Sequence, residues 1–157
     1  MRERMNLFLK YLTVLGMAAL PVLELRGAVP YGVAMDLPLL PVLAVSILGN
    51  MLPVPFIILF IRQVFAWMKQ KSEWLRGIAE RLESRAHAKG DILVKYETLG
   101  LFILVAIPLP GTGAWTGSLV AALFDLRMKN ALPAIFLGVV AAGLIMSVVS
   151  YGVDMLI

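Results

Sequence analysis

The chain has 157 residues, of which 61% are hydrophobic and 15% charged, and its mean hydropathy is +0.89. A soluble domain of this size cannot bury so much apolar surface, so the composition predicts an integral membrane protein. Cysteine is absent and histidine occurs once, which argues against disulfides, thiolate chemistry and metal sites. The net charge of +4 is concentrated in one central stretch, where the positive-inside rule explains it better than nucleic-acid binding.

The first half of the chain contains two apolar stretches separated by a break. Residues 7–23 are short for a full span and end near Pro21. A Gly/Pro-rich segment at residues 27–32 predicts interrupted helix, because glycine and proline both weaken helical structure. Residues 37–61 are uncharged and exceed the ~20 residues that a bilayer core requires. The prolines in this second stretch predict distorted ends. Asp36, just before it, is expected to cap the helix that follows.

The central stretch, residues 62–97, carries eight basic and five acidic side chains. Met68, Leu75 and Leu82 recur at helical spacing, with Trp67 and Trp74 nearby, so the pattern predicts an amphipathic helix that Gly90 ends. Its basic residues place it in the cytoplasm, and the tryptophans favour contact with lipid headgroups. A solvated spacer is the alternative interpretation.

The second half repeats the arrangement of the first. An uncharged run at residues 98–124 is broken at 108–117 by Pro-Leu-Pro-Gly-Thr-Gly-Ala-Trp-Thr-Gly, and residues 131–153 form an uninterrupted apolar stretch. Unpaired backbone at membrane depth is tolerated only where protein or a water-filled cavity surrounds it. The broken run is therefore the best indication of a functional site. Small residues at 138, 142, 143, 147 and 150 predict close helix packing, either within the chain or at a dimer contact.

Together these patterns predict an all-α membrane protein with a single membrane domain of two inverted repeats. Repeat one covers residues 7–61, repeat two covers 98–157, and each is a re-entrant hairpin followed by a transmembrane helix. A cytoplasmic amphipathic linker at 62–97 joins the repeats. Re-entrant hairpins are favoured over four full crossings because residues 99–108 reach only ~15 Å as helix, about half a bilayer. Two spanning helices and two half-deep hairpins enclose little volume by themselves, so we expect a homo-oligomer, most simply a dimer.

Three motifs resemble a known family. They are residues 24–32 (Glu-Leu-Arg-Gly-Ala-Val-Pro-Tyr-Gly), 48–55 (Leu-Gly-Asn-Met-Leu-Pro-Val-Pro) and 106–117, which contains the second break. The chain resembles the putative small multidrug-export family, which is grouped with the DedA/VTT membrane proteins. The resemblance implies inverted repeats with re-entrant hairpins. Relatives in the wider superfamily are associated with moving lipids across bilayers, including the undecaprenyl-phosphate carrier, and with dependence on the proton-motive force, so the resemblance also implies these. The sequence departs from the DedA pattern, because the arginines that flank the proline in DedA's second re-entrant motif have no counterparts here, where Ala106, Gly111 and Thr112 stand nearby.

Glu24 and Arg26 are the charged candidates for chemistry. A carboxylate near membrane depth is desolvated, which favours its protonated form and makes Glu24 a candidate proton carrier. Arg26 either holds Glu24 ionised or faces a phosphate. The alternative is an interfacial loop in which both side chains meet water. Asn50 either lines a cavity or bonds to a neighbouring helix. In the second break, backbone donors, hydroxyls and a half-helix N-terminus suit an anionic group. The predicted substrate- or proton-binding residues are Glu24, Arg26, Pro30, Asn50, Pro108, Pro110, Gly111, Thr112, Gly113, Trp115 and Thr116.

The sequence predicts a small transporter or DedA-like lipid translocase that is coupled to protons and moves an anionic amphiphile or lipid carrier. The alternatives are a small multidrug exporter, an ion transporter, or a membrane interaction protein that transports nothing. No catalytic set, metal cluster or nucleotide fingerprint is present in the sequence, so an enzyme is not expected, nor is a cofactor. The expected partners are membrane lipids and a small amphiphilic or ionic substrate, and the expected location is the plasma membrane of a prokaryote.

Overall fold

The computed structural model describes residues 2–88 and 97–154, and within these ranges every regular element is an α-helix. This confirms the predicted all-α class. The helices are α1 (Arg2–Ala19), α2 (Glu24–Ala34), α3 (Leu39–Met51), α4 (Val54–Lys71), α5 (Glu73–Ala88), α6 (Glu97–Ala106), α7 (Ala114–Leu123) and α8 (Met128–Asp154).

Among the described residues, two helical segments are long and apolar enough to cross a membrane. One runs from Leu39 to Lys71 over 33 residues, and the other runs from Met128 to Gly152 over 25 residues. The first is bent between α3 and α4, where Leu52 and Pro53 separate the two helices. The bend is expected because Pro53 and Pro55 have no backbone N–H to donate to the preceding turn. These segments agree with the predicted membrane protein.

The first break lies earlier than predicted. Residues 27–32 were expected to interrupt the helix, yet α2 runs through them, and the chain turns at residues 20–23 instead. A Cβ on Gly32 would lie 2.5 Å from a methyl carbon of Val42. This glycine therefore lets α2 approach α3 closely and does not mark a loop. Glu24 begins α2 with a positive φ of 48°, which produces the sharp return of the chain after α1.

The second break lies where the sequence predicts it. Helix α6 ends at Ala106, residues 107–113 form a loop, and α7 begins at Ala114. Gly111 and Gly113 have φ values of 77° and 119°, which side chains with a Cβ rarely adopt. The prolines and glycines of the motif therefore explain both the end of α6 and the path of the loop.

The linker is not the single helix that was expected over residues 62–97. Helix α4 continues to Lys71, Ser72 is extended, and α5 begins at Glu73 and folds back onto α4. The Ser72 hydroxyl accepts a hydrogen bond from the Leu75 N–H at 3.2 Å, as an N-capping serine does. Trp67 and Trp74 are exposed near this corner. The predicted helix end at Gly90 lies outside the described residues.

In each hairpin, one short helix packs on the long segment of its own half of the chain, and the other also contacts the long segment of the other half. Helix α1 packs on α3 and α6 packs on α8, whereas α2 contacts α8 and α7 contacts α4. Small residues permit these approaches. Gly138 of α8 faces Val105 of α6, and Gly143 faces Leu25 and Leu43 of α2 and α3. The small-residue face of α8 is thus used within the chain, which selects the first of the two predicted alternatives.

Two turns have the same backbone pattern and lie at opposite ends of α8. Asp36 follows α2 and Asp125 follows α7, both with φ of 55°, and the N–H of the next residue bonds five positions back in each case. This is a Schellman helix end, so Asp36 ends α2, and the prediction that it caps α3 is wrong. The Tyr151 hydroxyl donates to the Leu37 carbonyl at 2.9 Å, beside the first turn. The second turn leads directly into the start of α8.

Candidate functional site

The two breaks meet through the side chain of Arg26. Its Nη1 donates to the carbonyls of Leu109 and Thr112 at 2.5 and 2.8 Å, and its Nη2 donates to the Ile107 carbonyl at 3.0 Å and the Thr112 hydroxyl at 2.6 Å. The four Nη hydrogens are therefore matched by four acceptors in the 107–112 loop. A planar guanidinium suits such a set, and the bonds hold a loop that has lost its helical partners.

Glu24 reaches the start of α7. The Trp115 N–H donates to the Glu24 Oε1 atom at 3.1 Å, and the Ala114 N–H also faces this carboxylate. Because Gly113 is the N-cap of α7, these are among the unpaired donors of the first helical turn. Only 5% of Glu24 is exposed. The anionic group that was expected at this half-helix N-terminus is therefore supplied by the protein itself.

Gly113 permits this contact. A Cβ on Gly113 would overlap the Glu24 carboxylate, and the residue's φ of 119° already excludes most side chains. Trp115 adds a second connection, because its indole N–H donates to the Ala19 carbonyl at the end of α1 at 3.1 Å. Trp115 therefore joins the two hairpins, a role that the sequence did not reveal.

The Glu24–Arg26 pair separates two cavities. The larger, about 420 Å³, is lined by both charged residues and by Pro21, Val22, Pro108, Pro110, Gly111, Thr112 and Thr116. The smaller, about 10 Å³, is lined by the same pair and by Leu25, Asn50, Val105, Gly113, Ala114, Val139 and Ala142. Among the described residues that line them, Glu24 and Arg26 are the charged ones.

The site lies about midway between the Asp36 and Asp125 turns. Asn50 is about midway between Leu37, which contacts Tyr151, and Arg62, which forms an ion pair with Asp125 at 2.7 Å. At 1.5 Å per residue, Leu37 and Arg62 each lie about 20 Å along the helical path from Asn50. Helices α2 and α7 have 11 and 10 residues, so each reaches about half of a bilayer from its turn to the site.

Most of the predicted residues converge on this site. Pro30 does not, because it lies within α2 and lines neither cavity. Arg26 contacts backbone carbonyls, and no ion pair with Glu24 within 4.0 Å occurs in the described part of the chain. Asp125 forms a salt bridge with Arg62, on a different helix. His87 is exposed, and its ring lies 5.2 Å from that of Phe124.

Sequence reasoning missed Ser46, Pro21 and Val22. Ser46 is fully buried one helical turn before Asn50, and this spacing was the available signal. Pro21 and Val22 line the larger cavity because the first break falls at residues 20–23. Within residues 2–88 and 97–154, no group of three or more potential metal-ligating side chains occurs.

Comparison with known proteins gives one match. Residues 24–145 match the model of a family described as putative small multi-drug export protein. This range contains both breaks, both charged site residues and most of α8. No curated protein and no solved structure matches the chain.

Proposed function

The chain belongs to the putative small multi-drug export protein family, since the match covers well over half of it, and on that premise we propose that it is a small proton-coupled membrane transporter that moves an anionic amphiphile. The cargo class includes phosphate-bearing lipid carriers. The observation that carries the proposal is the buried Glu24 carboxylate at the N-terminus of α7. In this proposal, Glu24 binds the coupled proton, and the cargo headgroup occupies the larger cavity.

The protonation state of Glu24 sets the charge of the site. When Glu24 is ionised, it offsets Arg26 and satisfies the first turn of α7. When Glu24 is protonated, Arg26 and the positive end of α7 have no anion beside them. An anionic headgroup then restores the balance, so proton binding and anion binding favour each other.

A cationic cargo fits the site less well. It would meet Arg26 and the N-terminus of α7 in either protonation state of Glu24. Arg26 itself is held by the 107–112 loop, and the hydroxyls of Thr112 and Thr116 also bond to carbonyls of that loop, so a headgroup in the larger cavity meets a loop whose polar side chains are already paired. The charge pattern therefore supports an anion over the cationic drug of the alternative reading.

The proposed architecture is two inverted repeats, residues 7–61 and 98–157, with a cytoplasmic linker at 62–97 and membership of the DedA/VTT superfamily. Each repeat is a re-entrant hairpin followed by a spanning helix. Two observations support it: the Asp36 and Asp125 turns lie at opposite ends of α8, and the N-termini of α2 and α7 meet near its middle. Arg62 bonds to Asp125 and to the Leu123 carbonyl, which supports placing the second turn on the linker side.

We place the protein in a prokaryotic plasma membrane, in contact with lipid, as a homo-oligomer and most simply a dimer. Apolar side chains of α8, including Phe136, Leu137 and Val148, are exposed and suit lipid or a second copy. Basic residues in the linker support its cytoplasmic side.

The test is transport by proteoliposomes under an imposed pH gradient. Movement of NBD-labelled phosphatidylglycerol should accelerate with the gradient in the wild type and become independent of it in Glu24→Gln. Glu80→Gln, an exposed change in α5, serves as the matched control and should behave as wild type.

Parallel assays with inorganic phosphate and ethidium separate a lipid headgroup from a free anion and from a cation. Transport of ethidium alone would contradict the assignment of an anion. Equal gradient dependence in wild type and Glu24→Gln would remove the proposed coupling role. If the wild type moves no probe, the non-transporting interpretation replaces this one.

A further inference from the structure

Two polar side chains on one face of α3 are buried without a hydrogen-bond partner in the described part of the chain. The Ser46 residue is 0% exposed and Asn50 is 3% exposed, and the atoms without partners are the Ser46 Oγ and the Asn50 Oδ1. They are one helical turn apart, so their side chains are neighbours on the helix surface. A buried polar atom of this kind is normally satisfied by protein or by bound water.

Ser46 differs from the buried serines Ser118 and Ser147, whose hydroxyls bond within their own helices. The hydroxyls of Ser118 and Ser147 donate to carbonyls four residues earlier, at 2.6 and 2.7 Å. That bond is the usual way for a serine to satisfy its hydroxyl inside an apolar helix. Ser46 makes no such bond, so its hydroxyl is available to another partner.

The small cavity lies between Asn50 and Glu24. Its volume of about 10 Å³ is close to what one water molecule requires. Leu25, Val105 and Val139 form its apolar walls, and the polar groups that line it come from Asn50, Glu24 and Arg26.

We infer that Asn50 and Ser46 form a proton path to Glu24, through water bound in the small cavity, that is separate from the larger cavity used by the cargo. This inference rests on the proposed function. Ser46 is one turn nearer than Asn50 to the α2–α3 turn, so the path points toward the face where Leu37 and Tyr151 meet. The Asn50 Oδ1 atom accepts a hydrogen bond from the water and holds it in place, and the amide itself carries no proton. The proton hops along the Ser46 hydroxyl and water oxygens, each of which passes on one proton as it receives another, and ends on the Glu24 carboxylate, so only O–H bonds form and break.

The groups around Glu24 are consistent with such a path. Arg26 is the charged side chain beside it on α2, and α7 contributes the N–H groups of Ala114 and Trp115. Helices α6 and α8 present Val105, Val139 and Ala142. On the side of the small cavity, the polar side chain that faces the Glu24 carboxylate is Asn50 of α3. A proton entering here does not pass the 107–112 loop.

The test separates proton delivery from cargo binding. Wild-type and variant proteoliposomes are loaded with a pH-sensitive dye, and proton entry and NBD-phosphatidylglycerol movement are followed over a range of cargo concentrations. Asn50→Leu and Ser46→Ala should lower both maximal rates at least ~10-fold, as loss of a positioned proton carrier does, and leave the half-saturating cargo concentration unchanged. Ser46→Thr keeps a hydroxyl and should retain most of the rate.

Ser118→Ala and Ser147→Ala are matched controls, because those hydroxyls bond within their own helices. The inference fails if Ser46→Ala and Ser46→Thr both transport as wild type while Glu24→Gln is uncoupled, in which case the proposed function still stands. A raised half-saturating concentration in Asn50→Leu with normal proton entry would also overturn it, as would transport driven by a Na⁺ gradient. If Asn50→Leu does not fold, the Ser46 pair decides the question.

Discussion

Replacing Gly113 by alanine should destabilise the protein strongly, because two independent features at this position require glycine. Its φ of 119° lies in a region that alanine adopts only at a cost of ~1–3 kcal/mol. The added Cβ also overlaps the Glu24 carboxylate, which must move and lose its bond from the Trp115 N–H. A hydrogen bond to a charged group contributes about 1.5–3 kcal/mol. Together these give a loss of roughly 2.5–6 kcal/mol.

The matched control is Gly16→Ala. Gly16 lies within α1 with no heavy atom near the position of an added Cβ, so alanine should stabilise the helix by about 0.5–1 kcal/mol. Both variants and the wild type are unfolded by denaturant in one detergent, and their free energies of unfolding are compared.

A third variant isolates the clash from the backbone strain. In Gly113→Ala combined with Glu24→Ala, the overlap with the carboxylate is gone, so the loss should be smaller than the sum of the two single losses. Strict additivity, or a Gly113→Ala protein as stable as wild type, would exclude a clash between the added Cβ and the Glu24 carboxylate.

Two further variants test the packing and the loop. Gly138→Ala should lower the free energy of unfolding by about 1–3 kcal/mol, because the added Cβ would lie 2.7 Å from the Cβ of Val105. Combining it with Val105→Ala should recover part of the loss, and both effects are measured by denaturant unfolding. Arg26→Lys should accelerate hydrogen exchange of the 107–112 backbone at least ~10-fold, because an ammonium group cannot reproduce the planar fork of bonds. The control is Arg76→Lys, which alters a similar contact between an arginine and the Lys69 carbonyl and should leave exchange of the 107–112 backbone unchanged. Equal exchange rates in the wild type, Arg26→Lys and Arg76→Lys would show that Arg26 does not hold the loop.

The second break was predictable because its residues act locally. Pro108 and Pro110 remove backbone donors, and Gly111 and Gly113 adopt positive φ values, so the sequence alone marks the end of α6. In the first half the same residue types have another role. Gly32 makes room for Val42 on a helix that is adjacent in space, and such packing is invisible to a local pattern.

The composition of the site was also largely predictable, but its connections were not. Glu24 and Arg26 were identified as charged residues at membrane depth. Their partners, Trp115 and the 107–112 carbonyls, lie more than 80 residues away in the chain, so only the fold brings them together. The anion expected at the start of α7 proved to be Glu24 itself. In the proposed function, an anionic ligand therefore binds there only after Glu24 is protonated.

The central claim is that the protein binds an anionic amphiphile and a proton together. The most direct measurement is proton uptake when decyl sulfonate, whose headgroup does not titrate near neutral pH, is added to detergent-solubilised protein in weak buffer. We expect about one proton to be taken up per anion bound by the wild type and none by Glu24→Gln. Decyltrimethylammonium should cause no uptake. Anion binding without proton uptake, or equal uptake by Glu24→Gln, would exclude linked binding of the anion and a proton at Glu24.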